Sequence, residues 1–171
     1  MGIRPLVLAP LARVLGWVNR LFAGVSMLGM LAAACILTSS VATRYFFKLP
    51  TDWQDEASIF LLVGATFLSG AYVQAQRGHI GIGLLAGLLP ARWNRVRARL
   101  CDGLSLLFCG FFAWKSWTLW LEAWREGTTT DSTWAPPLWI PYGLMAVGMT
   151  VLTVQLVLQL VGTAPQQGEH K

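Results

Sequence analysis

Long, uncharged apolar stretches constrain the fold of this chain more than any other feature. Between Arg20 and Arg44 lie 23 residues without a charged side chain, and about 20 helical residues cross the hydrocarbon core of a bilayer. Of the 171 residues, 55% are hydrophobic and 12% are charged, whereas a soluble domain has about 25% charged residues. A chain this short has too much surface to bury so many apolar side chains. We therefore predict an all-α integral membrane protein.

The uncharged runs predict four transmembrane helices. Their approximate bounds are 21–43, 57–76, 100–121 and 139–161. Asp102 and Lys115 interrupt the third of these spans. The fourth begins beside Pro137 and Pro141, and proline is tolerated there because first-turn amides have no partner within the helix.

The segment between the second and third spans is apolar but too short to cross a bilayer. Its apolar part, residues 80–89, has 10 residues, so we interpret it as an interfacial arm, either a surface helix or a re-entrant turn. Beyond it, Arg92, Arg95 and Arg99 recur at spacings of three and four. Such spacing places them on one helical face that can meet anionic lipid headgroups. A solvated basic loop is the alternative.

The distribution of lysine and arginine predicts the orientation in the membrane. Nine of these residues flank one side of the predicted spans, and three flank the other. The nine are Arg4, Arg13, Arg20, Arg77, Arg92, Arg95, Arg97, Arg99 and Lys171; the three are Arg44, Lys48 and Arg125. Positive charge accumulates on the cytoplasmic side. The amino-terminal segment 1–20 and the tail 162–171 are therefore both predicted to be cytoplasmic.

Tryptophan residues support this orientation. Trp53 and Trp134 fall in the predicted outer loops, and Trp117, Trp120 and Trp124 share one helical face near the outer boundary. An amphipathic indole is favoured at that boundary. We expect these three residues to anchor the protein in lipid or to pack against a partner helix, and a cofactor cage is the alternative.

Few charged residues lie within or beside the predicted spans. Lys115 shares a helical face with Glu122, and we expect it to reach toward this acid and the interface; contact with another subunit is the alternative. Asp55 and Glu56 immediately precede the second span, where the helix dipole favours negative charge. Arg44 is close enough in the chain to fold back onto them.

The sequence lacks the residue sets that most chemistry requires. The predicted spans contain no histidine that could bind haem, and the three cysteines lack metal or redox spacing. Neither a catalytic set nor the midplane polar sites of secondary carriers occur in the sequence. We expect a protein that is not an enzyme, uses no cofactor or metal and binds no nucleic acid.

Short motifs along the chain resemble those of one transporter family. They occur in consistent order over roughly residues 20–160. They are Arg44-Tyr45-Phe46-Phe47, Trp53-Gln54-Asp55-Glu56, Gly70, Arg77-Gly78-His79-Ile80, Leu89-Pro90, Pro137-Leu138-Trp139-Ile140-Pro141-Tyr142 and Val147-Gly148. In their order and spacing they resemble the DctQ-like small membrane subunit of tripartite ATP-independent periplasmic (TRAP) transporters. Gly83 and Ala146 depart from the family pattern, which has an acidic residue and a proline at these positions.

The resemblance implies a small scaffold subunit in the cell inner membrane. In this family a periplasmic solute-binding protein captures the substrate, and a large permease subunit carries it inward on an ion gradient, usually of sodium. We expect structural or partner-contact roles for nine residues. They are Arg44, Trp53, Asp55, Glu56, Arg77, His79, Lys115, Pro137 and Pro141. A self-assembling exporter or channel, and the membrane anchor of a redox complex, are the alternative functions.

Overall fold

The computed structural model describes residues 4–76 and 91–160, and these fold into four helices. In chain order they are α1 (Arg4–Phe47), α2 (Asp52–Ala75), α3 (Ala91–Glu126) and α4 (Trp139–Leu160). By length and composition, each is long and apolar enough to cross a membrane. For the described residues, the prediction of an all-helical protein with four helices long and apolar enough to span a membrane is confirmed. The predicted arm, with Arg77 and His79, lies outside the described residues.

Two of the helices extend well beyond the predicted spans. The 44 residues of α1 and the 36 residues of α3 correspond to about 66 Å and about 54 Å of helix, against a hydrocarbon core of about 30 Å. The amino-terminal part of α1 is rich in leucine, alanine and arginine, which favour helix in water as well as in lipid. An uncharged run therefore marks the length that lipid requires, while the helix continues into its flanks.

The four helices form a row. α2 and α4 pack against each other at its centre, α1 packs on α2, and α3 packs on α4. α1 also meets α4 over a short stretch, so α1 and α3 occupy the two ends of the row. This arrangement differs from a closed four-helix bundle because each helix packs mainly on its neighbours in the row.

Glycine sets the distance between the two central helices. A Cβ atom added at Gly148 of α4 would overlap the backbone carbonyl of Phe67 in α2. At Gly64 of α2, an added Cβ would lie 2.9 Å from Cδ1 of Leu144. Small residues at such contacts let helix backbones approach closely within a membrane. The α2–α4 pair is consequently the most tightly specified contact of the fold.

Two short connections lie at the same end of the helix axes, which we name the loop end. Residues 48–51 join α1 to α2, and residues 127–138 join α3 to α4. In the longer connection Thr129 pairs with Pro137 in an isolated antiparallel bridge. The hydroxyl of Thr133 donates a hydrogen bond of 2.7 Å to Oδ2 of Asp52, and this contact ties the longer connection to the start of α2.

The two helices at the ends of the row leave most of their apolar side chains uncovered. Met27 and Leu28 of α1 are 68% and 69% exposed, and Leu107 of α3 is 72% exposed. Surfaces of this kind are unfavourable in water but not in lipid. Lipid or a partner protein must therefore cover the outer faces of α1 and α3.

Candidate functional site

A charged cluster connects α1 and α2 at the loop end. Nη2 of Arg44 donates to Oδ2 of Asp55 at 2.8 Å and to the hydroxyl of Thr51 at 2.7 Å. Oδ1 of the same carboxylate accepts a bond of 3.0 Å from the buried hydroxyl of Ser40. Arg44 thus folds back onto the acid at position 55, as the sequence predicts. The cluster fixes the angle at which the chain turns from α1 into α2.

The other predicted residues of this region are arranged less simply. α2 begins at Asp52, so Trp53, Asp55 and Glu56 lie inside its first turns, whereas the predicted span begins only at residue 57. Oε2 of Glu56 is buried and has no hydrogen-bond partner, whereas Trp53 is half exposed. Arg44 therefore engages only one of the two predicted acids.

Two proline positions match the predicted start of the last helix. α4 begins at Trp139, and Pro141 is buried in its first turn, where it removes no helical hydrogen bond. Pro137 forms the bridge with Thr129 just before the helix. Both residues shape the entry of the chain into α4.

Four amide side chains, three of them buried, connect the helices at the opposite end of the helix axes, which we name the amide end. Nδ2 of Asn19 in α1 donates to Oε1 of Gln155 in α4 at 3.1 Å. Gln74 of α2 donates through Nε2 to Oε1 of Gln159 at 2.7 Å, and Nε2 of Gln159 returns a bond of 2.8 Å to the backbone oxygen of Gln74. α4 is thereby bonded to both α1 and α2.

The amide end was not predicted from the sequence, although a signal for it is present. Gln155 and Gln159 are four residues apart on a helix without charged residues, so they share one face. Amides within apolar spans usually bond across to another helix. The partners, Asn19 and Gln74, were not identifiable because they lie 136 and 85 residues away in the chain.

A series of tryptophan rings follows the contact between α3 and α4, and two of its three ring pairs meet edge to face. Ring centroids are 5.4 Å apart for Trp117 and Trp120, 5.8 Å for Trp120 and Trp124, and 5.0 Å for Trp124 and Trp139. The indole nitrogen of Trp117 also donates to the hydroxyl of Thr150 at 3.0 Å. The three predicted residues therefore do share a face, and that face packs on α4 while remaining partly exposed.

Lys115, which is expected to reach toward Glu122, forms no ion pair with this acid within 4.0 Å. Among the described residues, the ion pair between Arg44 and Asp55 is the one that lies within 4.0 Å. Nζ of Lys115 instead lies 5.0 Å from the ring centroid of Trp114, on the exposed side of α3. A cation is attracted by the negative face of an indole, so the neighbouring ring partly compensates for the missing acid.

Arg92, Arg95 and Arg99, which are predicted to meet lipid headgroups, lie in the first turns of α3. Their side chains are outside the described part of the structure. Within that part, no group of three or more histidine, cysteine or acidic residues could hold a metal ion. The polar groups described here bond helices to one another.

Comparison with known proteins identifies the family. The family model described as "Tripartite ATP-independent periplasmic transporters, DctQ component" matches residues 33–166. The chain belongs to this family. The resemblance found in the sequence is thus confirmed, and the membership makes this a multi-pass inner membrane protein of a transporter permease family. Members of such a family are generally not enzymes.

Two curated relatives carry names from this DctQ family. The C4-dicarboxylate TRAP transporter small permease protein DctQ of Vibrio cholerae is 24% identical over 152 residues, an alignment that covers 74% of this chain and 64% of that protein. The isethionate TRAP transporter permease protein DctMQ of Oleidesulfovibrio alaskensis is 23% identical over 156 residues. That alignment covers 87% of this chain but 24% of the relative, so a DctQ-like part occurs there within a much longer permease chain.

Proposed function

We propose that this chain is the small, non-catalytic membrane subunit of a TRAP-type secondary transporter. It holds a large permease subunit in place while that subunit moves solute on an ion gradient. A periplasmic solute-binding protein supplies the solute. The observation that carries the proposal is the family match over residues 33–166. The row of helices supports it, because its uncovered apolar surface offers a broad area for a membrane partner.

The orientation belongs to the same proposal. The loop end, with Arg44, faces the periplasm, and both chain termini face the cytoplasm. Carboxyl-terminal fusions test this directly in cells. A green fluorescent protein fusion should fluoresce and an alkaline phosphatase fusion should be inactive, because the first matures only in the cytoplasm and the second only in the periplasm. The reverse pair of results would contradict the orientation.

We further propose roles for the predicted site residues. Arg44, Trp53, Asp55 and Glu56 shape or contact the periplasmic side of the complex, and Arg77 and His79 contribute on the cytoplasmic side. Lipid anchoring falls to the basic face of α3 and to the exposed edges of the tryptophan series. These residues are Arg92, Arg95, Arg99, Trp117, Trp120 and Trp124.

Co-expression with the large permease subunit and the binding protein tests the function. Proteoliposomes with all three proteins should accumulate solute when an ion gradient is applied, and proteoliposomes with this chain alone should not. Accumulation by this chain alone would overturn the proposal and favour the self-assembling exporter or channel.

Charge reversal separates the proposed partner contacts from general surface effects. Asp55→Lys combined with Glu56→Lys should weaken recovery of the complex or solute uptake several-fold. The matched control is Glu126→Lys at the exposed end of α3, which should leave both unchanged. Normal uptake by a well-expressed double variant would remove these two acids from the proposed contact.

A further inference from the structure

Lys115 is a charged residue in the middle of the membrane-crossing part of α3. That part runs from Gly103 to Glu126, so Lys115 lies about 18 Å from its start and about 16 Å from its end along the helix. The side chain is exposed, and within the described residues it forms no ion pair within 4.0 Å. A cation at such a depth is costly, and it usually faces a protein interior or pairs with an acid. The contacts of this chain therefore leave Lys115 incomplete.

Lys115 points away from the rest of the helix row. Trp117, two positions later, donates to Thr150 of α4, and Ala113, two positions earlier, is buried. A step of two positions turns about 200° around a helix, so Lys115 lies on the side of α3 opposite α4. The exposed apolar residues on that side, at spacings of three and four, are Leu104, Phe108, Phe111 and Leu119. We name these four residues and Lys115 the lysine face.

The side chain of Lys115 is not directed toward the nearer edge of the membrane region. In a helix the Cα–Cβ bond tilts toward the amino terminus, which for α3 is away from the loop end. Nζ lies 5.0 Å from the ring centroid of Trp114, the preceding residue. Glu122, the next charged residue toward the loop end, is about 10 Å further along the axis, whereas a lysine stem spans about 6 Å. A lipid headgroup at the loop end is therefore a poor partner for this ammonium group.

Charge distinguishes a protein partner of the lysine face from lipid. Hydrocarbon offers no acceptor for an ammonium group, so acyl chains would cover the apolar residues and leave the cation unpaired. A transmembrane helix can place a carboxylate at the depth of Lys115, and opposite charges attract strongly where the dielectric constant is low. Because lipid already removes Lys115 from water, pairing adds little to its desolvation. An acidic helix is thus the occupant that completes this face.

This chain does not itself supply such a carboxylate. Within the membrane-crossing parts of the four helices, acidic residues occur only in the first turns of α2 and the last turns of α3. Both places are at the loop end, so a second copy in the same orientation presents no acid at the depth of Lys115. In the DctMQ relative, the DctQ-like part is joined covalently to further permease chain, which makes permease helices the natural source of the acid.

We propose that the lysine face contacts a transmembrane helix of the large permease subunit, and that a carboxylate of that helix pairs with Lys115. The proposal rests on the proposed function and names the surface through which the two subunits associate. The occupant is an apolar helix that follows α3 from Leu104 to Leu119, over about 22 Å. It carries one aspartate or glutamate at the depth of Lys115.

Substitutions at Lys115 test the pairing by affinity purification of the co-expressed complex in mild detergent. Lys115→Met should reduce the recovered large permease subunit about fivefold, because it leaves a carboxylate unpaired. Lys115→Glu should reduce it at least about tenfold, since two acids then face each other. Lys115→Arg keeps the charge and should change recovery by less than about twofold. Normal recovery with Lys115→Met, or an equal loss with Lys115→Arg, overturns the proposal.

Two matched changes separate the pairing from other effects of charge. Arg125→Met removes a positive charge from the exposed end of α3, and Glu122→Gln removes the nearest acid toward the loop end. Neither should lower recovery. A loss with either variant equal to that of Lys115→Met would overturn the proposal, and with Glu122→Gln it would make Glu122 the partner of the lysine. Unchanged melting temperatures of the isolated variants exclude a folding defect; if Lys115→Glu is unstable by itself, Lys115→Met decides.

Photo-crosslinking identifies the occupant. A benzoylphenylalanine at Phe111, one turn from Lys115 on the lysine face, should form a covalent adduct with the large permease subunit. The same probe at Leu31, which is 63% exposed on α1, is the control; an equal permease adduct there would overturn the assignment of the contact to α3. A phospholipid adduct alone, or a dimer of this chain, at Phe111 would overturn the proposal.

Recovery of the wild-type complex separates this proposal from the proposed function. If the wild-type chain recovers no large permease subunit, the proposed function fails as well. If it recovers that subunit and Lys115→Met does so equally, only the proposal for the lysine face fails.

Discussion

The loop end and the amide end, which lie at opposite ends of the helix axes, are held together by different chemistry. At the loop end, Arg44 and Asp55 form an ion pair whose side chains are 63% and 43% exposed. At the amide end, Asn19 and Gln155 are 1% and 6% exposed and carry no charge. Desolvating an ion is far more costly than desolvating an amide. Charge is used where water reaches the helices, and neutral hydrogen bonds are used where it does not.

The two ends also differ in what they connect. The ion pair joins consecutive helices through residues that are 11 positions apart. The amides join α4 to α1 and α2 over 136 and 85 positions. A local contact fixes one turn of the chain, whereas the long-range contacts determine which helices become neighbours. We therefore expect the amide end to contribute more than the loop end to the stability of the helix row. The variants below test that ranking.

The largest effect is expected for Gly148→Ala, which forces α2 and α4 apart. The added methyl group overlaps the carbonyl of Phe67, and overpacking of this kind costs about 3 kcal/mol. The free energy of unfolding in mixed detergent micelles measures the loss. Amide hydrogen exchange should rise around Gln74 and Gln159, because their bond joins these two helices, and remain unchanged at Asp55.

The control for this variant is Gly70→Ala on the facing side of α2. Its new Cβ would lie 3.9 Å from Cδ2 of Leu152, which is ordinary contact, so stability should stay equal or rise slightly. If both alanine variants lose the same stability, close approach at Gly148 is not what sets the spacing of α2 and α4.

The next largest effect is expected for Gln155→Leu, which leaves the buried amide of Asn19 without a partner. The free energy of unfolding should fall by about 2 kcal/mol. Adding Asn19→Leu should recover about 1 kcal/mol, because the double variant buries no unpaired amide. Strict additivity of the two single changes would mean that the hydrogen bond does not couple α1 to α4.

A smaller, salt-dependent effect is expected for Asp55→Asn. Loss of an exposed ion pair should lower the free energy of unfolding by about 0.5 kcal/mol at low ionic strength. The difference from wild type should vanish in about 1 M salt, where exposed charges are screened. Asp131→Asn, a change in the exposed longer connection, controls for net charge. A loss larger than that of Gln155→Leu would reverse the ranking of the two ends.

The smallest effect is expected for Lys115→Met on the exposed side of α3. Only the ring of Trp114 interacts with the charge among the described contacts. Such interactions contribute about 0.5 kcal/mol at exposed sites, and removing a charge from an apolar helix offsets most of that loss. The isolated protein should therefore melt within a few degrees of wild type. A loss beyond 1 kcal/mol would indicate that Lys115 has an acidic partner in the folded protein.

Features set by residues close together in the sequence could be predicted, and contacts between distant residues could not. The four helices, the start of α4 beside Pro137 and the contact of Arg44 with an acid are local properties, and each was correct. The expectation that Lys115 reaches toward Glu122 stays a prediction, because helical spacing places two residues on a face without deciding which neighbour each side chain contacts, and Nζ of Lys115 lies 5.0 Å from the ring centroid of Trp114. The ends of α1 and α3 were also missed, since charged residues continue a helix that has left the hydrocarbon core.

The sequence by itself determined that this is a membrane protein of the DctQ type with four apolar runs long enough to cross a bilayer. The lengths of the uncharged runs and the order of the motifs can be read directly along the chain, and lipid requires a helix wherever such a run occurs. Only the tertiary structure decided that the helices form a row, that Gly148 brings α2 and α4 into contact, and that four amides meet at one end. These features depend on side chains brought together from distant segments, and lipid solvates all apolar helix faces equally. Hydropathy therefore cannot select which faces become neighbours, and close packing and hydrogen bonding select them instead.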